Sequence, residues 1–182
     1  MKATPLAIAD VVLLEPRIFE DARGWFFESF NARSFAEATG VDAVFVQDNH
    51  SRSMRGVLRG LHYQLPPAAQ GKLVRVVAGE IFDVAIDVRK SSPSYGRWVA
   101  ETLSAQNHRQ LWIPAGFAHG FVALTEGTEV IYKTTDFYHR AAERSIAWDD
   151  PDLAIAWPPG LTPILADKDA AAPRFATADT FD

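Results

Sequence analysis

A chain of 182 residues can bury a real core, and 48% hydrophobic with 23% charged residues is the composition of a globular protein, not a disordered one. The formal net charge of -5 argues against general nucleic-acid binding, and no apolar run approaches the roughly 20 residues that span a bilayer. The lack of cysteine excludes disulfides, thiolate metal sites and a cysteine nucleophile.

The simplest expectation is one domain over 1–182. The opening Met1-Lys2-Ala3-Thr4-Pro5 has no apolar signal-peptide run, so the expected location is cytoplasmic, with neither membrane nor nucleic acid as partner. In chain order, strand signals dominate. Leu6 to Leu14 is apolar and β-branched and ends at Glu15-Pro16. Asp21-Ala22-Arg23-Gly24 reads as a turn into an aromatic strand from Trp25 to Phe30. One helix is expected from Ala32 to Thr39, with Asn31 as N-cap and Gly40 just past its end. Phe45 to His50 is strand-like and gives way to a Ser/Arg/Met loop.

Gly56-Val57-Leu58-Arg59-Gly60-Leu61-His62-Tyr63-Gln64 then reads as a buried strand bounded by turn chemistry. Lys72 to Ala78, Gly79-Glu80 and Ile81 to Val88 have the pattern of a hairpin. A turn at Ser91–Gly96 precedes strands at Trp98–Leu103 and Gln110–Ile113. Pro114 to Gly120 is a tight connection into Phe121–Leu124, and Thr128 to Thr135 is a further strand. Past Trp157-Pro158-Pro159-Gly160 the composition turns to Ala, Asp and Pro, and about 170–182 is expected to be a loosely ordered tail. Many short strands at near-regular spacing predict an all-β sandwich or jelly roll with few helices.

The strand at 56–64 carries an arginine and a histidine, groups that are costly to bury unpaired. From Ser51 to Gly79 there is no Asp or Glu, while Arg52, Arg55, Arg59, Lys72 and Arg75 all fall inside. A positive field around a buried histidine points to a pocket for an anionic ligand and to proton chemistry on it. His62 is either a core histidine satisfied by a carbonyl or a base. Lys72 shares a strand face with Val74, Val76 and Ala78, so it either snorkels from the strand end or is buried for function. Strict alternation sets Arg59 and His62 on opposite faces; both line one cavity only if Gly60 marks a bulge. Tyr132, among Val130, Ile131 and Lys133, is a core aromatic or a proton donor. Asp167-Lys168-Asp169 is a solvated loop, or supplies through Asp169 a carboxylate that orients His62. His50, His108, His119 and His139 are scattered, with no carboxylate beside His62, so no metal site is expected.

Taken together, the motifs resemble the dTDP-4-dehydrorhamnose 3,5-epimerase family. They are the 56–64 stretch, Gln70-Gly71-Lys72-Leu73-Val74-Arg75, Ile113-Pro114-Ala115-Gly116-Phe117-Ala118-His119-Gly120-Phe121, Tyr132-Lys133, Tyr138 and Asp167-Lys168-Asp169. The resemblance covers essentially the whole chain. It implies a cupin-type jelly roll, a homodimer, a dTDP-4-keto-6-deoxy sugar as substrate, and no cofactor. Position by position, it implies His62 as base with Asp169 as its partner, Tyr132 as the acid on the opposite face, and Lys72 as stabiliser of an enolate. Arg23, Glu28, Gln47, Asn49, Arg59, His119, Glu143 and Lys168 would contact the substrate, and Tyr138 would stack on thymine. Arg23 and Glu28 lie in an N-terminal strand that this family often exchanges between subunits. Three rivals make different demands. A single-carbon epimerase keeps His62, Asp169 and Tyr132. A non-catalytic sugar-nucleotide binder has no need of His62, Lys72 or Tyr132, and a metal-dependent cupin oxygenase needs ligands that this sequence lacks.

Overall fold

Two antiparallel sheets pack face to face over a shared apolar core, and their central strands, Gln110–Ile113 and Phe117–Ala123, are buried along their whole length. In the computed structural model, which describes residues 1–182, the first sheet runs β1 (Lys2–Pro5), β2 (Val12–Glu15), β10 (Gln110–Ile113), β7 (Lys72–Ala78), β12 (Thr128–Thr134), β5 (Gln47–Ser53). The second runs β13 (Glu143–Ser145), β6 (Leu58–Gln64), β11 (Phe117–Ala123), β8 (Glu80–Asp87), β9 (Trp98–Ser104). A separate ribbon of β3 (Phe19–Asp21) and β4 (Gly24–Phe26) and the short helices α1 (Ala32–Thr39) and α2 (Asp167–Ala170) complete the all-β, cupin-like sandwich. No helix is long and apolar enough to cross a membrane.

Between the sheets, Val74, Val76, Leu111, Ile113 and Val130 meet Ile81, Ala85, Leu103, Phe117 and Phe121 in one buried cluster. Each large side chain of this kind contributes about 1.5–3 kcal/mol by leaving water, so the shared face holds the sheets together. Helix α1 closes the outer face of the first sheet, with Phe35 buried against Val12, Leu14, Leu73 and Trp112. Its boundaries are those the caps predict. Asn31 Oδ1 accepts from the amides of Arg33 and Ser34, and Gly40, at φ +72°, donates to Ala36 O.

Four expectations need correction. Of the strand expected from Leu6 to Leu14 only Val12–Leu14 is strand, because Leu6 N bonds Val11 O and Val11 N bonds Ile8 O, folding Leu6 to Val11 into a turn. The aromatic strand shrinks to β4, which has only β3 to pair with. The β7–β8 hairpin does not exist: β7 pairs with β10 and β12, and β8 with β11 and β9. The chain crosses between sheets at Gly79, φ +75°, where a Cβ would lie 2.4 Å from Thr125 Oγ1. Glycine serves a hairpin and a corner equally well, so the local pattern does not separate them.

The last correction concerns the C-terminal tail, which is docked and not loose. Phe181 bonds Val88 O and Lys90 N, Tyr63 Oη donates to Asp179 O at 2.6 Å, and Ala147 N donates to Pro173 O. Phe175 and Phe181 cover the outer face of the second sheet over Leu61, Ile86 and Val88. Without them an apolar sheet face would be left in water.

Candidate active site

The site grows from one irregularity in β6. Across the β11 pairing, His119 lies opposite His62 and Phe121 opposite Arg59, so three steps on β6 answer two on β11. The extra residue is a bulge at Gly60, as the shared-cavity reading requires, and it turns Arg59 and His62 into the same cavity. Gly60 stands at φ +129°, and a Cβ there would sit 2.5 Å from Gly120 Cα. Gly60→Ala is therefore expected to cost at least about 2 kcal/mol and to lower Tm by about 5 °C or more. A thermal melt within a degree of the parent would refute the close backbone approach.

The cavity encloses about 330 Å³ between the sheets. His62 Nε2 is 2.6 Å from Asp169 Oδ1, and Asp169 Oδ2 accepts from Gly60 N at 3.4 Å. These partners are 107 positions apart in sequence. The segment before α2 bridges the gap: Ile164 bonds Gly56 O and Leu58 N, running parallel to the start of β6 and delivering Asp169 beside the bulge. Burial alone would raise the Asp169 carboxyl, but His62, Gly60 N and Lys168 hold it below the usual carboxylate range. With Asp169 accepting at Nε2, the neutral ring keeps its lone pair on Nδ1.

Lys72 does not snorkel. It is buried, and its Nζ donates to His62 O at 3.0 Å. Burial pushes its pKa down to about 8, while Asp83 and Glu143 draw it back upward. Tyr132 reaches the cavity from β12 in the sheet opposite His62, half-buried against the central core. Burial raises its hydroxyl pKa, opposed by Arg59 and Lys168, so it stays protonated across the neutral range. His119 Nε2 is 2.6 Å from the fully buried Asp83, which leaves Nδ1 as the ring's second polar atom.

At the rim, Lys168 Nζ bonds Glu143 Oε1 at 2.9 Å, and Tyr138 Oη donates to Glu143 Oε2 at 3.1 Å. Gln47, Asn49, Arg59, His119, Tyr138, Glu143 and Lys168 line the same cavity as His62, Lys72, Tyr132 and Asp169. Arg23 and Glu28 do not: Arg23 is ion-paired to Asp21 on the exposed ribbon, and Glu28 accepts from Asn31. The basic window is also divided. Of its five cations only Arg59 and Lys72 enter the cavity; Arg52 and Arg55 are exposed, and Arg75 points to the other face of β7.

Sequence reasoning passed over several polar groups in or beside the site, Ser51 and Gln70 of the lining among them. Asp83 interrupts the inward row Ile81, Ala85, and Gln64 follows His62 on the same face, so period-two alternation carried both signals. Ser53, whose Oγ accepts from Arg59 Nε at 3.1 Å, follows Gln47 and Asn49 in the same alternation.

A profile of the family described as dTDP-4-dehydrorhamnose 3,5-epimerase matches residues 5–177. A dTDP-4-dehydrorhamnose 3,5-epimerase from Pseudomonas aeruginosa is 62% identical over 181 residues, covering 100% of this chain and 99% of the relative. A crystal structure of a dTDP-6-deoxy-D-glucose-3,5-epimerase from Legionella pneumophila, in complex with dTDP-4-keto-L-rhamnose, superposes with TM-score 0.94 at 50% identity, covering 98% of this chain and 94% of that one. A 3'-monoepimerase from Streptomyces bikiniensis bound to dTDP-quinovose is similar at 39% identity and TM-score 0.90, covering 97% and 88%.

Proposed function

This chain belongs to the dTDP-4-dehydrorhamnose 3,5-epimerase family, and on that premise we propose that it inverts C3 and C5 of dTDP-4-dehydro-6-deoxy-D-glucose to give dTDP-4-dehydro-L-rhamnose. The observation that carries the reading is the opposition across one cavity of a carboxylate-paired histidine and a protonated tyrosine, with a buried lysine between the two sheets.

The C4 ketone makes the hydrogens on C3 and C5 acidic, because either carbanion delocalises onto the ketone oxygen. His62 Nδ1 removes the proton, and Asp169 holds the ring and stabilises the imidazolium that forms. Lys72 Nζ places a positive charge where the enolate oxygen becomes negative. Tyr132 returns a proton from the opposite face, which inverts the centre; the His62 imidazolium then gives its proton to solvent, the Tyr132 phenolate takes one from it, and the reset pair repeats the cycle at the second carbon. No hydride or electron leaves the sugar, so the chemistry asks for no redox cofactor.

Arg59 serves the diphosphate, to which its planar fork is suited, and Tyr138 offers its exposed ring to thymine. Gln47, Asn49, His119, Glu143 and Lys168 complete the substrate contacts. Arg23 and Glu28 fit this scheme as contributions to the cavity of a second copy. Phe19, Trp25 and Phe26, 49%, 59% and 68% exposed on the same ribbon, supply an apolar surface for such a homodimer. A cytoplasmic location is part of the same proposal.

Proton NMR of dTDP-4-keto-6-deoxyglucose in D2O with the purified protein tests it. Deuterium is expected at both C3 and C5. Exchange at one carbon alone would make the chain a single-carbon epimerase, as the Streptomyces bikiniensis relative is described, and no exchange would leave a binding module.

A further inference from the structure

We propose that Gln64 and Gln70, acting with Gln47, are positioning residues that hold the Tyr138 loop rigid as a preformed platform for the nucleobase. The proposal rests on the reading that Tyr138 stacks on thymine.

The residues between β12 and β13 form no strand or helix, and two rings stand out from them: Phe137 is 63% and Tyr138 54% exposed. A loop of this kind ordinarily satisfies its backbone with water and pays in order when a ligand lands on it. Here the backbone is held by the side-chain amides of Gln47 in β5, Gln64 in β6 and Gln70 in the loop before β7. Gln70 Nε2 donates to Asp136 O at 2.7 Å, joined there by Thr134 Oγ1 at 2.9 Å. Gln64 brackets the tyrosine, donating through Nε2 to Phe137 O at 3.2 Å and accepting at Oε1 from His139 N at 2.8 Å. Tyr138 N itself donates to Gln47 Oε1 at 3.0 Å.

Gln64 is only 4% exposed, and its second N–H is spent on Ala68 O at 2.6 Å. Two donors and one acceptor are all used, which no other side chain of that size supplies; glutamate lacks the donors and leucine lacks everything. Gln64 also lies two residues beyond His62 on β6 and opposite Glu143 of β13. The Tyr138 backbone is thereby fixed to the strand that carries the histidine, while Glu143 fixes the ring's hydroxyl. An aromatic ring ordered before the ligand arrives binds a base more tightly than a mobile one.

Calorimetric titration of dTDP and of inorganic pyrophosphate separates positioning of the base site from general support of the fold. Five proteins are compared: the parent, Tyr138→Ala, Gln64→Leu, Gln70→Leu, and the Gln64→Leu/Tyr138→Ala double variant. Gln64→Leu is expected to weaken dTDP about tenfold while changing pyrophosphate less than about twofold, with Gln70→Leu showing a smaller selective loss. The double variant is expected to bind dTDP no more weakly than Tyr138→Ala alone, because both act through one ring. Equal losses for both ligands, additive losses in the double variant, or unchanged dTDP affinity in Gln64→Leu would each overturn the proposal. Should Gln64→Leu fail to fold, Gln70→Leu decides by the same criterion. If Tyr138→Ala itself loses no dTDP affinity, the stacking assignment under the proposed function has failed first, a result distinct from failure of the glutamines alone.

Discussion

His62→Ala abolishes deuterium incorporation at both C3 and C5, with an expected loss of about 10³-fold or more in kcat/KM. Both carbons are expected to be affected because the proposed mechanism uses one base: the cavity offers one carboxylate-paired imidazole that is part-exposed, with 25% of its side chain open, while His119 is tied to Asp83 and 7% open. Asp169→Asn gives a different signature. An amide opposite Nε2 donates where the carboxylate accepted, which transfers the ring proton to Nδ1 and removes the lone pair that takes the substrate proton. Activity then falls about 10²- to 10⁴-fold while the fold keeps its shape. Tyr132→Phe separates the two half-reactions, retaining wash-in of deuterium through His62 but failing to return the proton on the inverting face. An exchange rate in His62→Ala above about a tenth of the parent's would put the base elsewhere, with His119 the first residue to examine.

The carboxylates give the dyad a pH signature as well. Asp169 and Glu143 both hold folded-state pKa values below those of the free side chains. Groups depressed in this way stabilise the fold above their unfolded pKa values, and that stability is lost as pH falls through the folded ones. The parent is accordingly expected to lose stability below about pH 4, and His62→Ala to show a shallower acid limb because Asp169 has lost the ring that lowered it.

What could be read from the sequence divides by range. Helix α1 was legible to the residue because Asn31 and Gly40 are local signals that act within four positions of themselves. Strand β10 was equally clear, four buried residues between a turn and a proline. The bulge at Gly60 followed from a contradiction, two charged residues that alternation would not put in one place, and the pairing with β11 resolves it. The sheet assignment of β7 and β8 was not legible, since a glycine corner and a glycine hairpin look alike until the partners are known. Nor was the tail, whose large apolar residues, Phe175 and Phe181, are held by a sheet face formed by residues far earlier in the chain. Asp169 was legible as a candidate and no more. Only the pairing of Ile164 with the start of β6 brings it to His62.

Lys72→Met gives the opposite combination of effects: a more stable protein that no longer turns over. Methionine matches the length and volume of lysine and suits the apolar row of Val74 and Val76. Turnover is expected to fall about 10²- to 10³-fold, the usual cost of removing a group that meets developing oxyanion charge. Stability follows from the pKa. Burial depresses Lys72 from 10.5 to about 8, so the folded state binds this proton more weakly than the unfolded chain does. For a lysine lowered on folding, the whole penalty is present below about pH 8 and disappears as pH rises toward 10.5. At pH 7 the penalty is about 3 kcal/mol, and the methionine variant, which has no charge to bury, is expected to recover about 1–3 kcal/mol of it. Denaturant titrations at pH 7 and pH 10 check the sign, because the gap between the two proteins should narrow at the higher pH. The parent's kcat should in turn decline through an alkaline limb near pH 8, where the ammonium facing the enolate is lost. A methionine variant that is less stable at pH 7 would show that the bond from Nζ to His62 O outweighs the desolvation of the charge, making Lys72 a structural residue first. A gain in stability with loss of turnover would instead mean that the fold carries a charge at its own expense, held where the reaction needs one.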